Sequence, residues 1–230
     1  KMSNNNKNMK KIYYKIILIG NTQVGKTCFF KKLTKKIFVE KNISTIGIDK
    51  AKITKTLSVH EDPFDSSSPE KEIEFTIDFF DTAGQERYRA ITSGYYKNSQ
   101  GLLLLYDITN RKSFEDIENW IKSVVENLGQ KESGSKKNYS LILLGNKSDL
   151  EEKRAISKEE AEEICKKNNI GWGGEISIKD MSIEELEDLF IETMKIIYKD
   201  IGNPQNSKMI AKKLSDGERV KKKKRNNNIC

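Results

Sequence analysis

Cysteine is scarce and scattered in this chain. Cys28, Cys165 and Cys230 are the only three, and they show neither the even framework of a secreted mini-protein nor zinc-ligand spacing. A reducing, cytosolic compartment is expected. Long apolar runs are also missing: stretches such as Leu102 to Tyr106 are far shorter than a membrane span, and the Asn/Lys-rich start lacks the apolar core of a signal peptide. The chain is therefore expected to be neither secreted by that route nor transmembrane. There is one histidine, His60, in a polar stretch that reads as solvated, and it is given no chemical role.

Charge, by contrast, is abundant and uneven. The formal charge is +8, yet residues 203 to 230 carry nine Lys/Arg against two Asp/Glu, a net +7 that leaves +1 for the remainder. A nearly neutral body with a basic tail points to a surface-anchored protein rather than a nucleic-acid binder. With 36% hydrophobic residues in 230, one sizeable core is expected and nothing demands two domains. The expected organisation is a disordered polar arm over 1–10, a globular domain over 11–202 and a flexible basic tail over 203–230.

Apolar runs at Tyr13 to Ile19, Ile73 to Phe80, Gly101 to Tyr106 and Tyr139 to Gly145 read as buried strands. A helix should follow Gly25. Another should open at Ser113, with Ile117, Trp120, Ile121, Val124, Val125 and Leu128 on a 3.6-residue period. Ser157 with Glu160, and Ser182 with Glu185, are capping-box signatures for two more. This alternation predicts an α/β fold with a mostly parallel sheet, helices on both faces and ligand sites at the carboxyl ends of strands. Two polar stretches, His60 to Glu72 and Gly129 to Asn138, look like inserted surface loops.

Gly20-Asn21-Thr22-Gln23-Val24-Gly25-Lys26-Thr27 matches the phosphate-binding pattern G-x-x-x-x-G-K-[S/T] in full, between a predicted strand and a predicted helix. Such a loop turns successive backbone N–H groups inward as an anion cradle. The helix N-terminus adds its positive end, Lys26 reaches the outer phosphates, and the Thr27 hydroxyl goes to Mg²⁺. What reads the base is a separate question. Asn146-Lys147-Ser148-Asp149 follows a predicted strand, and a carboxylate at Asp149 can accept from the ring N–H and exocyclic amine of guanine, a donor pair adenine lacks. Asn146 and the stem of Lys147 would brace the loop and cover the base.

These two motifs, with Asp81-Thr82-Ala83-Gly84-Gln85-Glu86 between them, resemble the Ras superfamily of small GTPases over about residues 11 to 200. Within it, Ser44-Thr45-Ile46-Gly47-Ile48-Asp49 and the run from Asp81 through Arg87-Tyr88-Arg89 and Ile91-Thr92 to Tyr95-Tyr96 are most similar to the Rab family. The resemblance implies a P-loop NTPase small G domain with a six-stranded, mostly parallel sheet. It implies a GTP/GDP switch that hydrolyses GTP slowly with Mg²⁺ and recruits effectors in vesicle traffic. The implied nucleotide contacts are Gln23, Val24, Gly25, Lys26, Thr27, Cys28, Phe38, Thr45, Gly84, Asn146, Lys147, Asp149, Ser177, Ile178 and Lys179. Thr27, Thr45 and Asp81 are the implied metal ligands, Asp81 acting through water. Gln85 would orient the attacking water beside Lys26. In the second base loop, Glu175 to Lys179, Ile178 stands where the family has alanine; its backbone N–H would meet the guanine oxygen, so its side chain must point away. Phe38 would stack on the base, or else be a core residue.

Implied partners are an exchange factor, a GTPase-activating protein, effectors at switch loops 40–50 and 84–96, and the cytosolic face of an intracellular membrane. Cys230, last after Lys221 to Arg225 and three asparagines, is the candidate for prenylation, although both the C-a-a-X arrangement and the family's usual double cysteine are absent. A solvated basic tail with an unmodified cysteine is the alternative. Other departures are Thr22 and Gln23 in the phosphate loop, Asn42 in the first switch, and Lys50 and Phe80 on the effector-facing surface. Two readings stand beside the switch: a GTP-locked interaction scaffold with little turnover, which Thr22 and Gln23 would permit, and a P-loop ATP enzyme, which Asp149 disfavours.

Overall fold

The computed structural model describes residues 9–38, 47–84, 93–129 and 138–203. The N-terminal arm expected over 1–10 lies almost wholly outside them, as do most of the tail and most of the stretch Gly129 to Asn138.

Burial along β1 (Lys10–Ile19) shows how the sheet is covered. Its first half alternates exposed and buried residues, whereas Ile16 to Ile19 are buried on both sides. The strand sits at the centre of six in the order β2 (Ile48–His60), β3 (Glu70–Thr82), β1, β4 (Gly101–Asp107), β5 (Ser140–Asn146) and β6 (Gly171–Ile176). All neighbours are parallel except β2 and β3. This is the mostly parallel α/β sheet that strand and helix alternation predicts.

Strand alternation divides the apolar residues between two cores. Ile16 and Leu18, Leu103 and Leu105, and Ile142 and Leu144 face one of them. There they meet Phe29 and Phe30 of α1 (Lys26–Lys35) and Phe190, Met194 and Ile197 of the last helix. Ile17 and Ile19, Leu102 and Leu104, and Leu141 and Leu143 face the other. Trp120, Ile121 and Val124 of α3 (Ile117–Leu128) cover it, with Ala161 and Cys165 of α4 (Lys158–Asn168). Fully burying a side chain such as Leu103 is worth about 1.5–3 kcal/mol, so the central strands anchor the fold.

Both capping boxes form. Glu160 N–H donates to Ser157 Oγ at 3.2 Å and Ser157 N–H to Glu160 Oε2 at 2.9 Å, opening α4. Ser182 and Glu185 do the same at the start of α5 (Ile183–Ile201), at 3.0 and 2.7 Å. Ser113 behaves differently from expectation. It lies inside a short helix, α2 (Arg111–Glu115), whose cap is Asn110, and its hydroxyl donates to Asn110 O at 2.8 Å. The apolar period starts only after the break at Asp116.

β2 and β6 complete the six strands that the resemblance implies, although neither is among the four apolar runs, and two expectations about residues 60–72 need correction. β2 carries Lys or Thr at most alternate positions, and β6 reads GWGGEI, where pairing with β5 overrides composition; a Cβ at Gly173 would sit 2.7 Å from Leu144 Cδ2. The stretch His60 to Glu72 is not simply a loop. β2 and β3 pair in unbroken register from Ile48 with Thr82 to His60 with Glu70, so Glu70 to Glu72 are strand and only 61–69 form the turn. His60 is half-buried there, its Nδ1 2.7 Å from Ser68 O, a turn contact rather than a freely solvated ring. Tyr198 at the end of α5 donates to Glu61 O at 3.2 Å, which ties this turn to the body. No helix among the described residues is long and apolar enough to cross a membrane.

Candidate functional site

The motif residues gather at the carboxyl edge of the parallel strands. Gly20 follows β1, Asp81 is next to last in β3, Asn146 ends β5, and Ser177 follows β6. Asn146, 4% exposed, joins three of these segments. Its Nδ2 donates to Val24 O at 2.8 Å, and its Oδ1 accepts from Ile178 N–H at 3.2 Å. Gly25, at φ 107°, must be glycine here on two counts, since a side chain would be strained and its Cβ would lie 2.2 Å from Asn146 Nδ2.

At the start of α1, Lys26 is buried and curls back over its own loop, donating to Gly20 O at 2.8 Å and Asn21 O at 2.7 Å. Burial pushes its pKa down to about 8, against the attraction of Asp81. Thr27 Oγ1 donates to Asp81 Oδ2 at 2.6 Å. Asp81 is fully buried, and its Oδ1 has no hydrogen-bond partner. Burial raises its pKa, while the Thr27 hydroxyl and Lys26 oppose the rise. Gly84 lies against this corner: a Cβ there would be 2.3 Å from Lys26 Nζ and 2.6 Å from Asn21 O.

On the other side of Asn146, Lys147 takes a left-handed backbone at φ 72° and pairs with Asp107 Oδ2 at 2.6 Å. Asp149 Oδ1 accepts from Ser177 Oγ at 2.8 Å, and Asp180 N–H donates to the same hydroxyl at 3.1 Å. Each carboxylate oxygen has two acceptor positions, so Asp149 keeps capacity for further N–H donors. The Ile178 side chain is buried, in the core cluster that also holds Phe29 and Phe30 of α1, and so is directed inward. Lys179 is exposed and Phe38 is 38% exposed, so Phe38 is not a core residue.

The Ras family model matches residues 15–199, which takes in every segment just described. The chain belongs to the Ras family. It is 37% identical over 172 residues to Ras-related protein Rab-13 of Bos taurus, covering 75% of each chain. It is 41% identical over 157 residues to Rab-13 of Canis lupus familiaris, with 68% of each covered. Against Ras-related protein RABA1g of Arabidopsis thaliana it is 36% identical over 186 residues, 81% of this chain and 75% of the relative. This is a Rab-like small GTPase of membrane traffic, an enzyme that hydrolyses GTP.

Three residues singled out for this GTPase from its sequence, Thr45, Gln85 and Cys230, lie outside the described residues. A divalent ion of the Mg²⁺ type fits what is described. Thr27 and Asp81 offer hard oxygen donors in contact, Asp81 Oδ1 is buried and unpartnered, and Mg²⁺ takes one or two protein oxygens with phosphates and waters completing its shell. No cluster of three or more His, Cys, Asp or Glu able to hold a metal occurs among the described residues.

Residues assigned no role from the sequence also shape this candidate site. Asn21, at a variable position of the phosphate loop, donates to Asp116 Oδ2 at 2.7 Å and accepts from Trp120 Nε1 at 2.8 Å, tying the loop to the start of α3. Arg154 grips Glu175 with two parallel bonds, Nη1 to Oε1 at 2.7 Å and Nη2 to Oε2 at 2.8 Å, and Glu151 with two more. It thereby ties the 148–153 segment, which contains Asp149, to the end of β6. Partners 95 and 21 residues apart carry no local signal, so neither contact was visible in the sequence.

Proposed function

We propose that the strand-edge site binds GTP or GDP in the manner the family resemblance implies, and that the nucleotide state sets which effectors bind. The single observation that carries the reading is Asn146, which joins the phosphate loop at Val24 to the 175–179 loop at Ile178, so that phosphate and base would be held by one braced unit. Gln23 to Cys28 would cradle the phosphates and Lys26 would leave its carbonyl partners for the outer phosphate oxygens. Asp149, held by Ser177, would accept from guanine, with Lys147, Lys179 and Phe38 flanking the base. Ile178 N–H, which now meets Asn146 Oδ1, would be shared with the guanine oxygen.

Hydrolysis in this reading is a matter of positioning rather than of an unusual base. Gln85 would orient the attacking water. Gly84, packed against Lys26 and Asn21, would place a backbone N–H toward the γ-phosphate. Thr27, Asp81 and Thr45 would hold Mg²⁺, which when bound neutralises charge on the phosphates. Loss of the γ-phosphate removes contacts of Thr45 and Gly84, and so releases the loops that carry them.

The membrane-facing part of the reading is a prenyl group on Cys230 with Lys221 to Arg225, giving peripheral attachment to the cytosolic face of an intracellular membrane. An exchange factor, a GTPase-activating protein and effectors at 40–50 and 84–96 complete the set of partners. The effector side has its own chemistry: Lys50 Nζ and Lys15 Nζ each lie 5.2 Å from the Phe80 ring centroid, beside Tyr95 at 6.2 Å. Two cations flanking an aromatic select partners different from those of an all-apolar surface.

The test is competition of GTP and ATP for the purified protein with Mg²⁺, followed by single-turnover hydrolysis of bound GTP. GTP should displace a labelled guanine nucleotide and ATP should not. Gln85→Leu should slow turnover by about tenfold or more without weakening GTP binding, because it removes water positioning and leaves the cradle intact. Equal displacement by ATP would sink the base assignment, and wild-type turnover in the variant would remove Gln85 from its role.

A further inference from the structure

Lys32 lies on α1, about one and two-thirds turns beyond Lys26, and is 6% exposed. Its side chain crosses to the segment that follows β6. Nζ donates to Ile178 O at 2.7 Å, to Lys179 O at 3.2 Å and to Met181 O. An ammonium has three N–H donors, and here each has a carbonyl. The Phe38 ring centroid is 5.5 Å from the same nitrogen, so the cation also faces an aromatic. Burying an ammonium is unfavourable unless it is hydrogen-bonded, and this environment supplies the bonds.

The positions of those carbonyls distinguish Lys32 from an ordinary buried cation that merely satisfies a loop. They belong to the residues that carry the second base loop, whose other ends are fixed by Ser177 to Asp149 and by Ile178 N–H to Asn146. α1 begins with Lys26 and Thr27, the phosphate and metal groups of the proposed site, and continues to Lys32 within the same ten-residue helix. One rigid element therefore sets the spacing between the phosphate end and the base end. Phe38 lies just beyond that helix, held against the same nitrogen.

We propose that Lys32 is a positioning residue for the guanine base: by clamping the 178–181 backbone and Phe38 onto α1, it controls how slowly bound nucleotide leaves. This rests on the guanine-nucleotide reading above. It adds a residue outside the recognition motifs that would act through the loop it holds rather than by touching the nucleotide. Without its three donors, the three carbonyls would turn toward water and the loop would open from its C-terminal side.

The experiment uses the full chain loaded with fluorescent GDP and chased with excess unlabelled GDP, with Mg²⁺ and again with a chelator. Lys32→Met keeps the stem and removes all donors, and release should quicken roughly 10- to 100-fold, as expected for losing charge-assisted hydrogen bonds. Lys32→Arg, which keeps a donor-rich cation, should stay within about threefold of wild type. The factor by which the chelator accelerates release should be the same for wild type and Lys32→Met, because the lesion is on the base side; a general loosening of the domain would change it. Lys32→Gln, with two donors and no charge, should fall between, and carries the test if Lys32→Met does not fold. Wild-type release from Lys32→Met or Lys32→Gln, in a protein that still prefers GDP to ADP, would overturn the role of Lys32 alone. A wild-type protein with no such preference would take down the site reading beneath it.

Discussion

Gln23 occupies the left-handed region, φ 64°, at a position of the phosphate loop where related proteins commonly have glycine. A side chain there costs roughly 1–2 kcal/mol of backbone energy relative to an unstrained position, and Gln23 is exposed, so packing returns little of it. Gln23→Gly should therefore stabilise the nucleotide-free protein by up to about 1 kcal/mol, the gain being cut by glycine's greater freedom in the unfolded chain. Urea unfolding of the two proteins checks it, and a destabilised variant would mean that the Gln23 side chain has a stabilising role its exposure does not reveal. At the same scale, Asp81 and Lys26 show what the site asks of single residues. A buried carboxylate with an unpartnered oxygen beside a buried ammonium is poor for stability alone, and in the proposed site these two groups would face a cation and an anion.

Among elements, the loops matter through what clamps them. Arg154 is held by Glu175 and Glu151, and its side chain is 22% exposed against 13% for Glu175. Replacing Arg154 by Met leaves Glu175 nearly buried without its partner, at an expected loss of about 2 kcal/mol. Because Glu175 stands near the end of β6, just before the proposed base contacts at Ser177 to Lys179, nucleotide release should quicken in the same variant. Thermal unfolding together with fluorescent-GDP release measures both effects. A fall in stability with unchanged release would show the clamp to be structural only. The capping boxes at Ser157 and Ser182 form a contrasting case: they are local, four-residue devices, and were readable from spacing alone.

For the molecule as a whole, the charge is concentrated where the chain leaves the domain. Gly202 ends α5, its carbonyl accepting from Tyr14 Oη at 2.7 Å, and the excess of nine Lys/Arg over two Asp/Glu lies from residue 203 onward. One lipid chain anchors only marginally, while each Lys/Arg near an anionic leaflet adds about 1 kcal/mol, so lipid and basic cluster would act together. Cys230→Ser should shift the protein from the membrane to the soluble fraction, and changing Lys221 to Arg225 to Gln should weaken binding and its salt dependence. Fractionation of native cells and mass spectrometry of Cys230 provide the measurements. Membrane association that survives both changes would exclude the two-signal anchor.

The sequence by itself determined the phosphate loop, the Asn146 to Asp149 motif, four of the six strands and both capping boxes, because each is written in contiguous residues whose chemistry or period needs no distant partner. It could not show β2 and β6, whose composition is too polar or too glycine-rich to signal a strand and which exist through pairing with β3 and β5. Nor could it reveal that His60 to Glu72 prolongs a hairpin, that Asn21 is held by Asp116 and Trp120, or that Lys32 reaches residues 178 to 181. Those contacts join segments far apart along the chain. Tertiary structure alone decided them, because a hydrogen bond depends on distance in space and the sheet order sets which distant residues become neighbours.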